Sequence, residues 1–241
     1  MRHSQFAMVL LLSAAGSPLR GDQPKSLDCL QVFVNGSDSV MSQSQAPIRL
    51  RKLHLLLRNT CSADITAFFL EADIKSPVAQ QIRQGDDMVY RLAHDSPLYN
   101  KIPLAGQDFP YDFSFRDDPA GELPFEGTIK VIAVAFRDVT AVGRDDKVKW
   151  LIGSRKSDVT NFRDKLDLLA KVAHLDDAKA MLQRDPDGSL SDDMKAFRRD
   201  LQRNVGNDPA RWGAYVNRRI NEMQQFISIV KEQSELRREG N

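Results

Sequence analysis

The chain has 241 residues, 41% hydrophobic and 28% charged, an ordinary globular composition with room for one large or two ordinary domains. Its 34 basic and 33 acidic side chains leave a formal charge of +1. Both halves, divided near Gly143, are close to neutral and neither has a charged tail, which argues against a chain that relies on electrostatic attraction to nucleic acid or an anionic membrane.

In chain order, Arg2 and His3 open a short polar stretch, Phe6 to Leu12 is an apolar run, and Ser13-Ala14-Ala15-Gly16 supplies small residues. This is the order of a secretory signal, predicted over residues 1–21, with cleavage after Ala15 or Gly16 and Gly21 as a second candidate. The run is far short of the ~20 residues that cross a bilayer, so no membrane span is expected after cleavage. No Cys follows it directly, which argues against a lipid anchor. The expected location is periplasmic or extracellular; the competing reading is an ordinary apolar N-terminal element. In an exported chain Cys29 and Cys61 are expected to form a disulfide. Closing a loop of about 30 residues stabilises by roughly 3–4 kcal/mol in the chain-entropy model. The alternative is two free thiols packed as small hydrophobes.

From Leu27 to Val142 short apolar runs alternate with turn residues. Cys29–Val34 reads as a strand that stops at the turn dipeptide Asn35-Gly36. In Leu50–Leu57, residues Leu53, Leu55 and Leu57 share one strand face and His54 points away from it. Ile65–Ile74 is rich in β-branched and aromatic residues, and Met88–Leu92 is a shorter candidate. Phe109, Tyr111, Phe113 and Phe115 alternate, and Ile129–Phe136 is apolar on nearly both faces, as a central strand is. A short helix is expected between Ser76-Pro77 and Gly85. Pro97, Pro103, Pro110 and Pro119 keep the stretch from Leu92 to Gly127 irregular. Six or seven strands at this spacing predict an antiparallel β-sandwich over residues 27–143.

After Gly143 the period becomes helical. Val148, Ile152, Val159, Phe162, Leu166, Leu169 and Ala173 form one face of a long helix, with Arg155 in place of an apolar residue. Asp145 and Asp146 suit its N-terminus, and Gly153-Ser154 is a point of weakness. A short helix over Ala178–Arg184 follows, then a turn at Asp185-Pro186-Asp187-Gly188, with Ser189 and Asp192 resembling a capping box. Met194, Phe197, Leu201 and Val205 mark the third helix. Asp208-Pro209 starts the last, striped by Trp212, Val216, Ile220, Met223, Ile227 and Val230. The fold class is α+β, an antiparallel sandwich followed by a helical bundle or hairpin over residues 145–238. Core packing within the chain explains the stripes; a self-associating or partner-binding coiled coil is the alternative.

Patterns that carry chemistry are scarce. The sequence has no GxSxG, Walker-type loop, GxGxxG, HExxH or CxxC. His3, His54, His94 and His174 are isolated from one another. The stretch Asp185–Leu190 matches a calcium loop at its third, fifth, sixth and eighth positions, but Gln183 and Met194 stand at the first and twelfth, so a helix-linking turn is the better reading. The pairs Asp86-Asp87, Asp117-Asp118 and Asp192-Asp193 fall where Asp serves turns and helix starts. Arg198, Arg199, Arg203, Arg211, Arg218 and Arg219 concentrate positive charge. Asp192, Asp193, Asp200 and Asp208 offset it, so a solvated surface is expected. The Asn35-Gly36-Ser37 sequon matters only in a host that glycosylates it.

Two stretches carry a resemblance. Asn59-Thr60-Cys61-Ser62-Ala63-Asp64-Ile65-Thr66-Ala67-Phe68 is similar to a segment in which a strand ends at Asn and a turn leads into an Ile-Thr-Ala strand. Phe136-Arg137-Asp138-Val139-Thr140-Ala141-Val142-Gly143-Arg144-Asp145 resembles a final hairpin, Phe-x-Asp-Gly-Ser/Thr-x-x-Gly-Asp, that feeds a long helix. Together they resemble a loose group of uncharacterised bacterial exported proteins with immunoglobulin-like or fibronectin-like sandwiches and a helical C-terminal region. Val139 departs from that pattern's Gly, and a positive φ there would strain a β-branched residue. The resemblance implies the fold and brings no catalytic residues.

The resulting expectation is a non-enzymatic protein-interaction module of the cell envelope, held through a sheet face or the helical stripes. Its partners are proteins of unassigned identity, with self-association through the helices open and nucleic acid not expected. No catalytic residue, cofactor or metal ligand is assigned. The alternatives are a hydrolase with residues scattered in loops, or carbohydrate or small-ligand binding through Tyr90, Tyr99, Tyr111 or Trp150.

Overall fold

Strand-period and helix-period segments separate along the chain much as their patterns require. The computed structural model describes residues 25–41, 49–75, 80–92, 102–116, 126–183 and 190–238. The signal-like segment, Ser76-Pro77, His94, Tyr99, Asp117-Asp118 and Asp185–Ser189 lie outside the described residues. Among those described, seven strands come first: β1 (Leu30–Met41), β2 (Arg49–Asn59), β3 (Ile65–Ile74), β4 (Gln80–Asp87), β5 (Asp108–Arg116), β6 (Gly127–Phe136) and β7 (Thr140–Gly143). Four helices follow, α1 (Asp145–Lys171), α2 (Leu175–Gln183), α3 (Asp192–Asn204) and α4 (Pro209–Gln233), and then a two-residue strand, β8 (Arg237–Arg238).

The strands form a three-stranded sheet in the order β1-β2-β5 and a five-stranded sheet in the order β4-β3-β6-β7-β8. All pairings are antiparallel except that of β7 with β8. Alternation aims Leu53, Leu55 and Leu57 of β2 and Phe113 and Phe115 of β5 at Phe68, Leu70 and Ala72 of β3 and Val134 and Phe136 of β6, so both sheets share one core. At one side Gln84 of β4 closes the gap to β5. Its Oε1 accepts from Ser114 N at 3.0 Å, and its Nε2 donates to Asp112 O at 3.5 Å. Pro110 is accommodated because β5 is an edge strand.

Cys29 and Cys61 are joined by a disulfide buried in this core, which ties the start of β1 to the turn after β2. Fully buried Asn59 organises that turn: its Nδ2 donates to Ala63 O and Pro103 O, and its Oδ1 accepts from Cys61 N.

The other face of the five-stranded sheet is built to receive a helix. Ala67, Ala133, Ala135 and Ala141 keep it low, and Val148 and Leu151 of α1 pack on it with Leu236. Phe69 lies over β4, where a Cβ on Gly85 would fall 2.3 Å from its ring. Farther along the same face Glu71, only 4% exposed, sits beneath Arg83, Lys130 and Arg144 at 2.6, 2.7 and 3.3 Å. Lys130 and then Arg83 hold its carboxyl below the usual range. That contribution to stability is present above the unfolded-state value and is lost as pH falls through the folded one. The α1 and α4 stripes face each other antiparallel. Arg155, near the start of α1, meets Gln233 at the end of α4, and Trp212 at the start of α4 donates to Val172 O past the end of α1. The stripe residues Leu169, Trp212, Val216 and Met223 are spent on the chain's own core.

Five local expectations change. Asn35-Gly36 does not end the first strand; β1 runs through it with a bulge between Val34 and Gly36, because pairing with β2 continues to Met41. Residues 80–85 are strand, since β4 pairs with β3 along its length. Met88–Leu92 is not a strand: Asp87 Oδ1 accepts from Val89 N and turns the chain into a 3-10 turn, Val89–Leu92. Ser191, not the expected Ser189, caps α3, accepting from Met194 N. Buried Val172 takes the core position expected of Ala173, because α1 ends at Lys171.

The β6–β7 hairpin places Val139 at φ 59°, the strain anticipated for a residue standing where the resembling pattern has Gly. Gly143 has φ 111°, and a Cβ there would lie 2.4 Å from Ile132 O. Val139→Gly is therefore expected to raise stability by about 1 kcal/mol. Gly143→Ala is expected to lower it. Thermal and urea unfolding of the two variants check both signs.

Candidate functional site

The strands and helices meet at a buried charge. Arg155, with 0% exposure, reaches from α1 to the end of β4, where its Nε and Nη2 donate to Asp87 Oδ2 and Oδ1 at 2.9 and 2.8 Å. Its Nη1 donates to Gln233 O at 2.8 Å and its Nη2 to Thr66 Oγ1 at 3.3 Å. Gln233 Nε2 in turn donates to Arg137 O beside the β6–β7 hairpin. One guanidinium thus joins β3, β4, α1 and α4. The residue that interrupts the apolar stripe in sequence is the one that registers the two layers.

Beside this pair the 3-10 turn inserts Tyr90 between α1 and α4. Its ring meets Phe162 and Phe226 edge-on, with centroids 5.7 and 5.8 Å apart. Its hydroxyl hydrogen-bonds Asp158. Burial, followed by Asp158, pushes the phenol far above its usual value. Burial also raises the Asp158 carboxyl, against the Tyr90 hydrogen bond. Lys165, nearly buried on α1, pairs with Asp193 at 2.6 Å and lies over the rings of Phe162 and Phe197. These groups line a cleft of about 380 Å³, which shares Asn161 and Asp193 with a neighbouring groove of about 480 Å³ between α1 and α3. Chemically the cleft offers a carboxyl made a weaker acid by desolvation, a phenol held as a donor, and a fixed ammonium.

A second surface lies on the three-stranded sheet. Its edge strand β1 exposes the consecutive residues Phe33 and Val34, at 41% and 46%, with Phe33 on the outer face and Val34 on the opposite one. The Arg58 guanidinium lies 5.3 Å from the Phe33 ring centroid and pairs with Asp108 across the sheet. On the same outer face His54 sits between strands, its Nδ1 2.9 Å from Asp112 and its Nε2 3.4 Å from Asp38. The Asp112 hydrogen bond raises the imidazole above its usual value.

The remaining sequence candidates scatter. His174 is exposed beyond the end of α1. Asp86 pairs with Arg91 while its neighbour Asp87 takes Arg155, so that acidic pair is divided between two cations. Asp192 and Asp193 pair with Lys195 and Lys165. Among the described residues, no group of three or more His, Cys, Asp or Glu is placed to hold a metal ion. Of the aromatic candidates, Tyr111 packs edge-on against Phe68 in the core, Tyr90 lines the cleft, and Trp150 is 55% exposed, edge-on to Phe69. Among the described residues, no helix is long and apolar enough to cross a membrane. No spacing in the sequence marks Asp158, Lys165 or Phe33 as site residues, and Arg155 shows there only as a polar break in an apolar stripe.

No family model, curated protein or solved structure matches the chain.

Removing one partner of the buried pair leaves the other charge uncompensated. Arg155→Met is expected to cost about 3–5 kcal/mol, and adding Asp87→Leu to recover part of it; urea unfolding of the single and double variants measures the coupling. For His54, NMR titration is expected to give a value above that of an unperturbed histidine, lowered by Asp112→Asn. Because the folded-state value is raised, its contribution to stability is present below the unfolded value and fades as pH rises through the folded one.

Proposed function

We propose that this chain is an exported protein-interaction module of the cell envelope, an immunoglobulin-like sandwich with a helical layer, which receives an extended partner segment along β1. The carrying observation is the consecutive exposed residues Phe33 and Val34, one on each face of a 12-residue strand that among the described residues is paired on one side only, with β2. An open edge offers a row of backbone donors and acceptors to another strand, and side chains beside it supply selectivity. The helical stripes are a poorer place for a partner, since their buried residues pack in the chain's own cores. The disulfide suits an oxidising compartment.

A hydrolase is the second reading, favoured by Asp158, whose burial beside Tyr90 keeps a carboxyl protonated to higher pH than usual. Its expected signature is hydrolysis of an ester, peptide or glycosidic substrate that falls at least tenfold in Asp158→Asn. A screen that stays silent in the wild-type protein removes that reading.

A photo-cross-linking residue at position 33, used in the native cell, is expected to give one recurrent adduct in the envelope or medium fraction. A probe at exposed Lys156 on α1 serves as the control. The Val34→Lys variant, with unchanged thermal unfolding, is expected to lose the adduct. Equal labelling from both positions, or recovery of an uncleaved protein from the cytosol, would overturn the proposal.

A further inference from the structure

Six arginines crowd the last two long helices, and in sequence four carboxylates balance them. In the structure, among the described residues, only Asp200 of these carboxylates is in an ion pair with one of the six, Arg219. Asp192 pairs with Lys195 and Asp193 with Lys165. Asp200 accepts from Tyr215 Oη at 2.7 Å and lies 3.6 Å from Arg219. Asp208 caps α4, accepting from Ala210 N and Arg211 N. Arg198 is turned inward, donating to Met181 O.

What remains is a groove of about 540 Å³ between the end of α3 and the first turns of α4. Arg203, Arg211 and Arg218 line it, against the single carboxylate of Asp208. Arg211, Tyr215 and Arg218 stand at i, i+4 and i+7 and so share one side of α4. Arg218 lies over the Tyr215 ring at 5.6 Å, which steadies its guanidinium plane. Among the described residues none of the three is held in an ion pair, and all three are exposed. Trp212 is buried in the wall with its Nε1–H given to Val172 O, so it contributes shape rather than a donor. Because Asp208 already takes two of the first amides of α4, recognition falls on the guanidinia.

We infer that this groove is a binding site for a small multivalent anion of the phosphate class. A guanidinium fork matches a pair of phosphate oxygens, and a phosphate group has enough oxygens and charge to serve more than one fork, whereas a carboxylate serves one well. The volume is that of a small-molecule site. The same chemistry is presented by a free diphosphate and by a phosphomonoester lipid headgroup, and the experiment separates them.

Inorganic pyrophosphate is titrated into the purified protein by calorimetry and by thermal shift at constant ionic strength, with chloride as the control. In parallel the protein is sedimented with phosphatidylcholine vesicles with and without phosphatidic acid. Arg203→Gln with Arg211→Gln is expected to weaken binding at least tenfold, and adding Arg218→Gln to abolish it. Lys149→Gln with Lys156→Gln, the same loss of two charges at exposed positions of α1, is expected to have no effect. These positions are exposed, and unchanged unfolding of the unliganded variants establishes that the fold is intact. Saturable pyrophosphate binding lost in the arginine variants supports the inference with a free ligand; sedimentation with phosphatidic acid alone, lost in the same variants, supports it with a lipid source. Binding to neither, or binding that the arginine variants leave unchanged, overturns it.

Discussion

A guanidinium with no exposure to solvent is the constraint on which this fold turns. Arg155 cannot be desolvated without partners for its charge and its donors, and the partners it finds lie on three other elements. Asp87 ends β4, Thr66 begins β3, and Gln233 ends α4. Sliding α1 by one turn along the sheet would strand the charge, so the pair selects one register where apolar contacts alone would tolerate several. The alanine-rich sheet face under Val148 and Leu151 supplies attraction without much shape; the ion pair supplies the shape. The same device recurs at lower stakes in Glu71, where Arg144 at the threshold of α1 joins Arg83 and Lys130 over a covered carboxylate.

The legible parts of the sequence are those governed by short-range periodicity. Leu53, Leu55 and Leu57 announce a buried strand face, and Asp208-Pro209 announces a helix start; both hold, because strand alternation and helix capping need only neighbouring residues. β4 was hidden for the opposite reason. Its residues are mostly polar, Ile82 alone packing against the core, and only pairing with β3 makes it a strand. Asn35-Gly36 carries a strong turn signal that an eleven-pair ladder with β2 overrides. The cleft was illegible because Tyr90, Asp158, Lys165 and Phe226 are brought together from three elements and owe their character to burial. No spacing rule could have linked them.

Charge tells a similar story. A chain with a formal charge of +1 looks featureless, and local counting of arginines and aspartates suggests compensation. Compensation in sequence is not compensation in space. Once Asp208 is spent on backbone amides, Asp193 on Lys165 and Asp200 on Tyr215 and Arg219, the end of α3 and the start of α4 carry a field that the composition conceals.

The small strand β8 has a consequence for how such a chain can change over time. The helical segment leaves the five-stranded sheet after β7 and returns to it as β8, immediately alongside. Because the pairing is parallel, the chain leaves at Gly143 and re-enters at Arg237 opposite Thr140, so its exit and entrance lie three residues along the strand and one strand spacing apart, about 11 Å. A segment with that geometry is topologically an insertion. It can lengthen, shorten or be exchanged for another compact unit without altering the order or register of the strands that carry it. The helical layer is accordingly free to diversify as a cassette while the stacked sheets stay as they are, provided that whatever replaces it brings its own counter-charge for Asp87.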